Sequence, residues 1–350
     1  MFSLASSVTL AMSLLSELGE GRLLGEFLQR LPGAGGDLLV GPGDDCAAYL
    51  APGGTIELAT TDAMVAGVHF EPAGADWAGV GYRLVAANVS DVAAMGGEPT
   101  WALATIGLPL DFEETAALAL MSGMEEAASA LGARLIGGDT TSSPTAFISL
   151  ALLGTTGRRL PVTRAGGRAG DRLIVTGPLG GAAAFVLSRS EASVDARLAA
   201  AYYRPPGRVR AGGAALRLGA SAMIDLSDGL GTDLRNLCRA SGCGASVEAR
   251  RIPLNKAIAG REGVDPLLLA VSGGEDYELL IAAPPGQADH ILEGVSDTGA
   301  APAIIGELTG GGPDDVVWQR DGRTEALPQG YQHFEPPARA SESPASSGRR

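Results

Sequence analysis

Gly41-Pro42-Gly43-Asp44-Asp45-Cys46 is the stretch that most restricts what this chain can fold into. Two glycines and a proline bend the backbone so sharply that two adjacent carboxylates are presented from a turn, not from a helix or strand interior. Neighbouring like charges repel, so either the pair hydrogen-bonds its own turn or a cation compensates it. The pattern recurs. Thr55 to Thr60 alternates as a strand and leads to Thr60-Thr61-Asp62, and Arg134 to Ile136 leads to the turn sequence Gly137-Gly138-Asp139-Thr140-Thr141. Ala222 to Ile224 breaks into Asp225-Leu226-Ser227-Asp228-Gly229, where Asp228 also reads as a cap for the helix Thr232 to Ser241. Apolar Leu267 to Val271 precedes Ser272-Gly273-Gly274-Glu275-Asp276-Tyr277-Glu278, and the strand Leu279 to Ala283 follows.

Between these turns the pattern is helical. Asp76 to Met95 carries Val80, Leu84, Val85 and Val92 on an apolar stripe, with Asn88 and Asp91 three residues apart toward one side. Glu113 to Leu131 is an alanine-rich helix, and Trp101 to Leu108 and Ala146 to Leu153 are strands. Leu14 to Leu31 reads as an opening amphipathic helix stopped at Pro32-Gly33. Gly177-Pro178-Leu179-Gly180-Gly181 lies between a strand and the helix Ala182 to Ser188; it lacks a full G-x-G-x-x-G, so close packing explains its glycines better than a phosphate cradle.

Length and charge exclude several classes. A chain of 350 residues, 45% of them apolar, is long enough for two domains. Its net charge is −14 and Lys256 is its only lysine, which speaks against a nucleic-acid or anionic-membrane surface. Cys46, Cys238 and Cys243 show no C-x-x-C spacing, so neither a disulfide framework nor a zinc site is indicated and the cytoplasm is the expected compartment. Residues 1–16 read as an N-terminal extension, with Met12 an alternative start, residues 17–156 as a first domain, 157–334 as a second, and 335–350 as a disordered tail.

The acids Asp44, Asp45, Asp62, Asp91, Asp139, Asp225, Asp228 and Glu275 are hard oxygen ligands, and no EF-hand loop is present, so magnesium is the favoured ion. Dispersed carboxylates usually share magnesium with substrate phosphates, which makes a phosphate-handling enzyme the leading inference. The P-loop and protein-kinase signatures are missing, so magnesium ions must do the neutralising that lysine does elsewhere.

Seven motifs in order, Gly-Asp-Asp-Cys-Ala (43–47), Thr-Thr-Asp (60–62), Ala-Gly-Val-His-Phe (66–70), Asn-Val-Ser-Asp-Val-Ala-Ala-Met-Gly (88–96), Gly-Gly-Asp-Thr-Thr (137–141), Ile-Asp-Leu-Ser-Asp-Gly-Leu (224–230) and Ser-Gly-Gly-Glu-Asp-Tyr-Glu-Leu (272–279), closely resemble the thiamine-monophosphate kinase family. The resemblance implies a two-domain α/β (α+β) fold of the aminoimidazole-ribonucleotide-synthetase-like (PurM-like) type, with N-terminal domains pairing strands across a homodimer. It implies transfer of the γ-phosphoryl of ATP to thiamine monophosphate, with several Mg²⁺ ions. By the same resemblance the magnesium ligands fall on Asp45, Thr60, Thr61, Asp62, Asp91, Asp139, Asp225 and Asp228, the ATP contacts on Gly138, Asp139, Arg164 and Ser227, and the substrate contacts on His69, Glu275 and Tyr331. Asp45, Asp62 and Asp225 are the expected catalytic acids, and Asp44 and Asp276 are supports of their turns. Pro328 stands where some family members carry a second aromatic residue. The competing readings are a ligase of the same fold forming an acyl- or seleno-phosphate, and a catalytically silent nucleotide or metal sensor.

Overall fold

The computed structural model describes residues 20–31, 33–189, 194–259, 261 and 263–330. The expected extension (1–16), the expected tail (335–350) and Tyr331 lie outside the described residues. The described residues fall into two units, one containing residues 20–31 and the other residues 33–330. In the first, helix α1 (Glu20–Leu28) carries an exposed pair, Arg22 to Glu26, one turn apart at 3.3 Å.

The larger unit contains two sheets. The first is built from β1 (Leu38–Val40), β2 (Ala47–Leu50), β3 (Ile56–Val65), β4 (Glu98–Leu108), β5 (Arg134–Ser142) and β6 (Phe147–Gly157), in the order β1-β2-β3-β6-β4-β5. Its pairs are antiparallel except β4 with β5. Alternation along each strand sends Leu58 and Met64 of β3, Ala102 and Ile106 of β4, and Leu150 and Leu152 of β6 into a core shared with helices α2 (Trp77–Ala94) and α3 (Glu114–Leu131). The opposite face stays open, with Trp101, Leu103 and Leu153 exposed.

Two stretches expected as turns are strand interior instead. Thr60-Thr61-Asp62 lies in the middle of β3, which pairs with β6 from Ile56 through Val65. Gly137 through Thr141 continues β5, in parallel register with Leu103 through Gly107. The β-branched threonines and the ladder offered by a long neighbouring strand outweigh the local turn signal of the glycines.

The second sheet runs β13-β12-β9-β11-β7-β10-β8. Its strands are β7 (Arg172–Val175), β8 (Ala222–Asp225), β9 (Gly244–Glu248), β10 (Leu279–Ala283), β11 (Ala303–Thr309), β12 (Val316–Arg320) and β13 (Arg323–Ala326). Helices cover both faces. Helices α6 (Val209–Leu218) and α9 (Ala288–Ser296) pack Ala211, Ala215, Ile291 and Val295 against Ile174, Met223 and Ile281. Helices α7 (Leu230–Ser241) and α8 (Pro266–Ser272) pack Leu230, Leu234 and Val271 against Leu173, Ile224 and Leu280. All five residues of β10 are therefore buried, and its sequence is apolar throughout instead of alternating. The remaining helices are α4 (Gly181–Ser188) and α5 (Ala196–Tyr203).

Helix α2 joins the two halves. Its Val80, Leu84 and Val92 belong to the first core while Ala93 and Ala94 belong to the α6 side of the second, so it is buried nearly all round and not along one stripe. Its contacts with α3 and α6 are glycine-mediated. A Cβ at Gly123 would lie 1.9 Å from the Ala78 carbonyl oxygen, and one at Gly212 1.9 Å from that of Ala93. Helix propensity alone favours Gly→Ala by about 1 kcal/mol. The crossing reverses the sign: Gly123→Ala is expected to destabilise the fold by about 1–3 kcal/mol, as overpacking does. A urea midpoint that stays put or rises would contradict this close approach.

Candidate active site

Asp45, Asp91 and Asp225 meet from three distant segments. Asp45 leaves the Gly41 turn just before β2, Asp91 sits in the last turn of α2, and Asp225 ends β8; one carboxylate oxygen of each lies within 4.8 Å of the others. The turns that present these acids are covered, since Asp45 is 8% exposed and Asp225 2%. Each acid has a fixed neighbour. Thr60 Oγ1 donates to Asp91 Oδ2 at 2.6 Å, Ser90 Oγ donates to Asp225 Oδ2 at 2.9 Å, and Arg164 donates to Asp45 Oδ1 from Nη2 at 2.6 Å and Nε at 3.2 Å. The other oxygen of Asp45, Oδ2, is buried without a hydrogen-bond partner.

Asp44 has a different role. Its carboxylate accepts the backbone N–H of Asp45 at 3.1 Å and that of Arg164 at 3.1 Å, so it ties the turn to the segment that supplies the guanidinium. Asp62 is held by its backbone, whose N–H donates to Asn88 Oδ1 at 3.1 Å and whose carbonyl accepts from Ser149 Oγ at 3.0 Å. The Asp228 N–H is received by Asp233 Oδ2 at 3.1 Å from the first turn of α7.

The electrostatics follow from crowding. Burial pushes Asp91 and Asp225 well above the ordinary carboxylate range, and neighbouring charges, Asp62 for the first and Asp45 for the second, push them further. Burial raises Asp45 to about 6 despite Arg164, and burial followed by the Asp228 charge raises Asp62 to about 6. Hard oxygen donors from separate elements, like charges forced together and an orphaned buried oxygen on Asp45 together fit a divalent cation such as Mg²⁺. Cys46 beside them is a buried thiol raised well above its usual range, suited to packing and not to nucleophilic attack.

A second group lies where α2 meets the Ser272–Glu278 turn. This turn holds two non-glycine residues in the left-handed region, Glu275 at φ 70° and Tyr277 at φ 49°. Such backbone persists only when its surroundings over-determine it. Three acids are anchored separately: Glu275 lies 3.3 Å from Arg83, Asp276 accepts the Gly180 N–H at 2.7 Å, and Glu278 takes a forked pair from Arg208 at 2.6 Å and 2.6 Å. Asp276 thus occupies the N-terminus of α4 itself, and the glycine loop 177–181 receives a protein carboxylate, in line with the reading of that loop as a packing device and not a phosphate cradle. Backbone bonds from Glu275 N to Ser227 O, 2.7 Å, and Tyr277 N to Leu226 O, 2.9 Å, join this turn to the Asp225–Asp228 turn. A Cβ at Gly274 would stand 2.4 Å from Ser227 O, so only glycine permits that approach. His69 accepts the Val65 N–H at Nδ1, 3.1 Å, which places its ring proton on Nε2.

Not every expected residue joins the cluster. Alternation of β3 turns Thr60 and Asp62 toward α2 but Thr61 toward the open face of the sheet. Gly138 and Asp139 lie on edge strand β5, separated from β3 by β4 and β6, about 14 Å across the sheet at ordinary strand spacing. Within one chain they stand apart from Asp45, Asp91 and Asp225. Ser90, Arg83 and Asp233 escaped sequence reasoning. Ser90 lies between the noted Asn88 and Asp91, and Arg83 interrupts an apolar helix pattern; those were the available signals.

Two family models match most of the chain. Residues 43–156 match the AIR synthase related protein N-terminal domain and residues 168–319 the corresponding C-terminal domain, which makes the fold the expected two-domain PurM-like one with mixed α and β content. The chain belongs to the thiamine-monophosphate kinase family. It is 35% identical to thiamine-monophosphate kinase of Escherichia coli K12 over 247 residues, 69% of this chain and 75% of that one. With the enzyme of Mycobacterium tuberculosis H37Rv it shares 35% identity over 262 residues, 72% of this chain and 77% of the relative. A solved structure of AaThiL complexed with AMPPCP and TMP superposes with a TM-score of 0.80 at 29% identity, covering 93% of this chain and all of the other. The hydrogenase maturation protein HypE, at 19% identity and a TM-score of 0.67, shares the fold alone.

Asp276 gives a pH-dependent expectation. Burial raises it from 3.8 to about 7, against the backbone N–H bonds that lower it. The folded chain therefore binds this proton more tightly than the unfolded chain, so its stabilising contribution is full below pH about 4 and is lost as pH rises to about 7. Asp276→Asn removes this titration. Its stability relative to wild type, measured by chemical denaturation, should rise between pH about 4 and about 7 and level off above; a constant difference across that window would rule the assignment out.

Proposed function

We propose that this chain transfers the γ-phosphoryl group of ATP to thiamine monophosphate, giving ADP and thiamine diphosphate, by direct in-line transfer. What carries the reading is the convergence of Asp45, Asp91 and Asp225 in a member of this kinase family. The acceptor is a phosphate oxygen that is already anionic at neutral pH, so the site needs no general base. Its problem is repulsion between two polyanions in a protein of net charge −14. Asp45, Thr60, Thr61, Asp62, Asp91, Asp139, Asp225 and Asp228 would hold Mg²⁺, with Asp45 offering its unpartnered Oδ2 while Arg164 keeps Oδ1. When bound, Mg²⁺ would neutralise phosphate charge and hold donor and acceptor together.

The chain's own groups do the remaining work. Asp45, Asp62 and Asp225 are the central acids. Arg164, 24% exposed at its side chain, is available to a nucleotide phosphate from its fixed place beside Asp45, with Ser227, Gly138 and Asp139 as the other ATP contacts. His69, through Nε2–H, and Glu275 face thiamine monophosphate, with Tyr331 as the third contact; Gly330, which precedes it, packs against Asp228 and donates to Thr232 Oγ1 at 2.9 Å. The cytoplasm is the compartment that suits an ATP-using enzyme whose Cys46, Cys238 and Cys243 are free thiols.

A homodimer accounts for the residues left out of the cluster. The open face of the first sheet exposes Trp101 at 44%, Leu103 at 50% and Leu153 at 38%, and Ile136 on the edge strand is 54% exposed. Strand pairing with a second copy would cover that face and bring Gly138 and Asp139 of each subunit to the site of the other.

Purified protein with ATP, Mg²⁺ and a panel of phosphorylated acceptors is expected to form ADP and thiamine diphosphate together; turnover of a different acceptor, or a trapped covalent phosphoprotein, would refute the reading. Asp225→Asn is expected to lower kcat by about 100-fold or more, the scale of losing one preorganised charge-stabilising group. Its melting temperature should equal or exceed that of wild type, because a buried like charge is removed.

The dimeric site has its own signature. Subunits carrying Asp139→Asn and Asp225→Asn are each expected to be inactive as pure dimers. Mixed in equal amounts, unfolded and refolded, they should recover roughly a quarter of wild-type activity, since half the dimers are hybrids and one of the two sites in each is intact. No recovery would place Asp139 in the site of its own subunit.

A further inference from the structure

Arg83 is fully buried on α2, with 0% of its surface exposed. Its guanidinium contacts three separate segments. Nη2 donates to the His69 carbonyl oxygen at 2.5 Å and lies 3.3 Å from Glu275 Oε1, and the group is stacked 3.9 Å above the ring of Tyr202 on α5. Tyr202 in turn donates its hydroxyl to the same His69 carbonyl at 2.8 Å. Nε and Nη1 are buried and have no hydrogen-bond partner.

This is a costly residue to keep for packing alone. A buried guanidinium needs several acceptors, and this one has a single carboxylate, with a side chain 25% exposed, and one carbonyl. An apolar side chain at this position of a helix otherwise rich in Val, Leu and Ala would avoid that penalty. The Arg83 contacts are instead selective. They reach the two described residues assigned above to thiamine monophosphate, His69 from the loop after β3 and Glu275 from the strained turn before β10, and none of the acids at the Asp45 cluster.

We propose that Arg83 is a positioning residue for the acceptor, its guanidinium setting the separation and orientation of His69 and Glu275 so that one face of thiamine monophosphate meets both. This rests on the functional reading above and deepens it by naming what holds the acceptor side of the site. The geometry separates two tasks: Arg164 stands at the acid cluster and the nucleotide side, while Arg83 stands behind the acceptor contacts. Planarity matters for the role, because one flat group has to stack on Tyr202 while donating to a carbonyl and facing a carboxylate.

Arg83→Met and Arg83→Lys, compared with wild type, test the assignment by steady-state kinetics with each substrate varied and by calorimetric binding of thiamine monophosphate without ATP. Arg83→Met is expected to raise KM and Kd for thiamine monophosphate by about tenfold or more while moving KM for ATP less than about twofold. Arg83→Lys, which keeps the charge and loses the planar fork, should recover part of that loss. An unmoved acceptor KM in Arg83→Met overturns the proposal, and so does a loss shared equally by both substrates, which would mark a purely structural role. If circular dichroism shows Arg83→Met unfolded, Arg83→Lys decides: an acceptor KM equal to that of wild type overturns the proposal. Failure of the wild-type protein to use thiamine monophosphate would overturn the functional reading and this one with it, whereas normal wild-type turnover with an unmoved variant overturns this one alone.

Discussion

The mutual repulsion of Asp45, Asp91 and Asp225 is the constraint around which the rest of the structure is arranged. Three carboxylate oxygens within 4.8 Å, two of the residues almost wholly buried, form an arrangement that a folded chain does not reach by default. It persists because each acid is delivered by an element anchored elsewhere. Asp91 is carried by a helix buried on nearly every side, Asp225 by a strand whose neighbour β10 is covered on both faces, and Asp45 by a turn latched through Asp44 to the Arg164 backbone. Among the described residues the one guanidinium paired with any of these three acids is that of Arg164, which engages one oxygen of one acid. Local electrostatics oppose the site, and the cores on either side of α2 hold it together.

Helix α2 is therefore the structural link between fold and chemistry. Gly123 of α3 sets its distance to that helix, its Asn88 fixes the Asp62 backbone, its Ser90 reaches Asp225 across to the second sheet, its Asp91 joins the acids, and its Arg83 stands against His69 and Glu275. One turn of helix advances about 5.4 Å, so residues 83 to 91 distribute these tasks along about 12 Å of a single rod. A displacement of that rod would move the acid cluster and the His69–Glu275 contacts together. The close glycine crossings with α3 and α6 resist such a displacement, because backbone meets backbone with no flexible side chain between them.

Much of this was legible in the sequence, and the failures have physical reasons. The acids singled out, Asp45, Asp62, Asp91, Asp225, Asp228 and Glu275, are visible because carboxylates next to glycine turns and strand ends are an unusual use of charge, and the structure gathers three of them, Asp45, Asp91 and Asp225. Their burial was not visible, because it is produced by packing α2 against a second sheet far away in sequence, as the Ser90 to Asp225 bond shows. Thr60-Thr61-Asp62 and Gly137 through Thr141 read as turns in sequence but are strands, since glycine and aspartate signal a turn locally while an eleven-residue partner strand offers a ladder that local signals do not reveal. Arg83 was missed because a single charge inside an apolar helical pattern looks the same whether it is solvated or buried. Burial and the Glu275 contact distinguish the two, and both are tertiary.

The alternation of a β-strand explains how one short motif divides its labour. In β3 the consecutive residues Thr60, Thr61 and Asp62 cannot all face one side; Thr60 and Asp62 turn toward α2, where Thr60 binds Asp91, and Thr61 turns outward. The same rule on β5 places Asp139 in one row with Thr105 of β4 and Ser149 of β6, on the open side, while Gly138 shares its row with buried Ala104 and Leu150. A sheet with helices on one face only thus carries two sets of polar groups, one committed to its own acid cluster and one displayed outward among Trp101, Leu103 and Leu153. The two sets are linked through the sheet itself, since Ser149 of the outward row donates from Oγ to the carbonyl of inward-facing Asp62 at 3.0 Å.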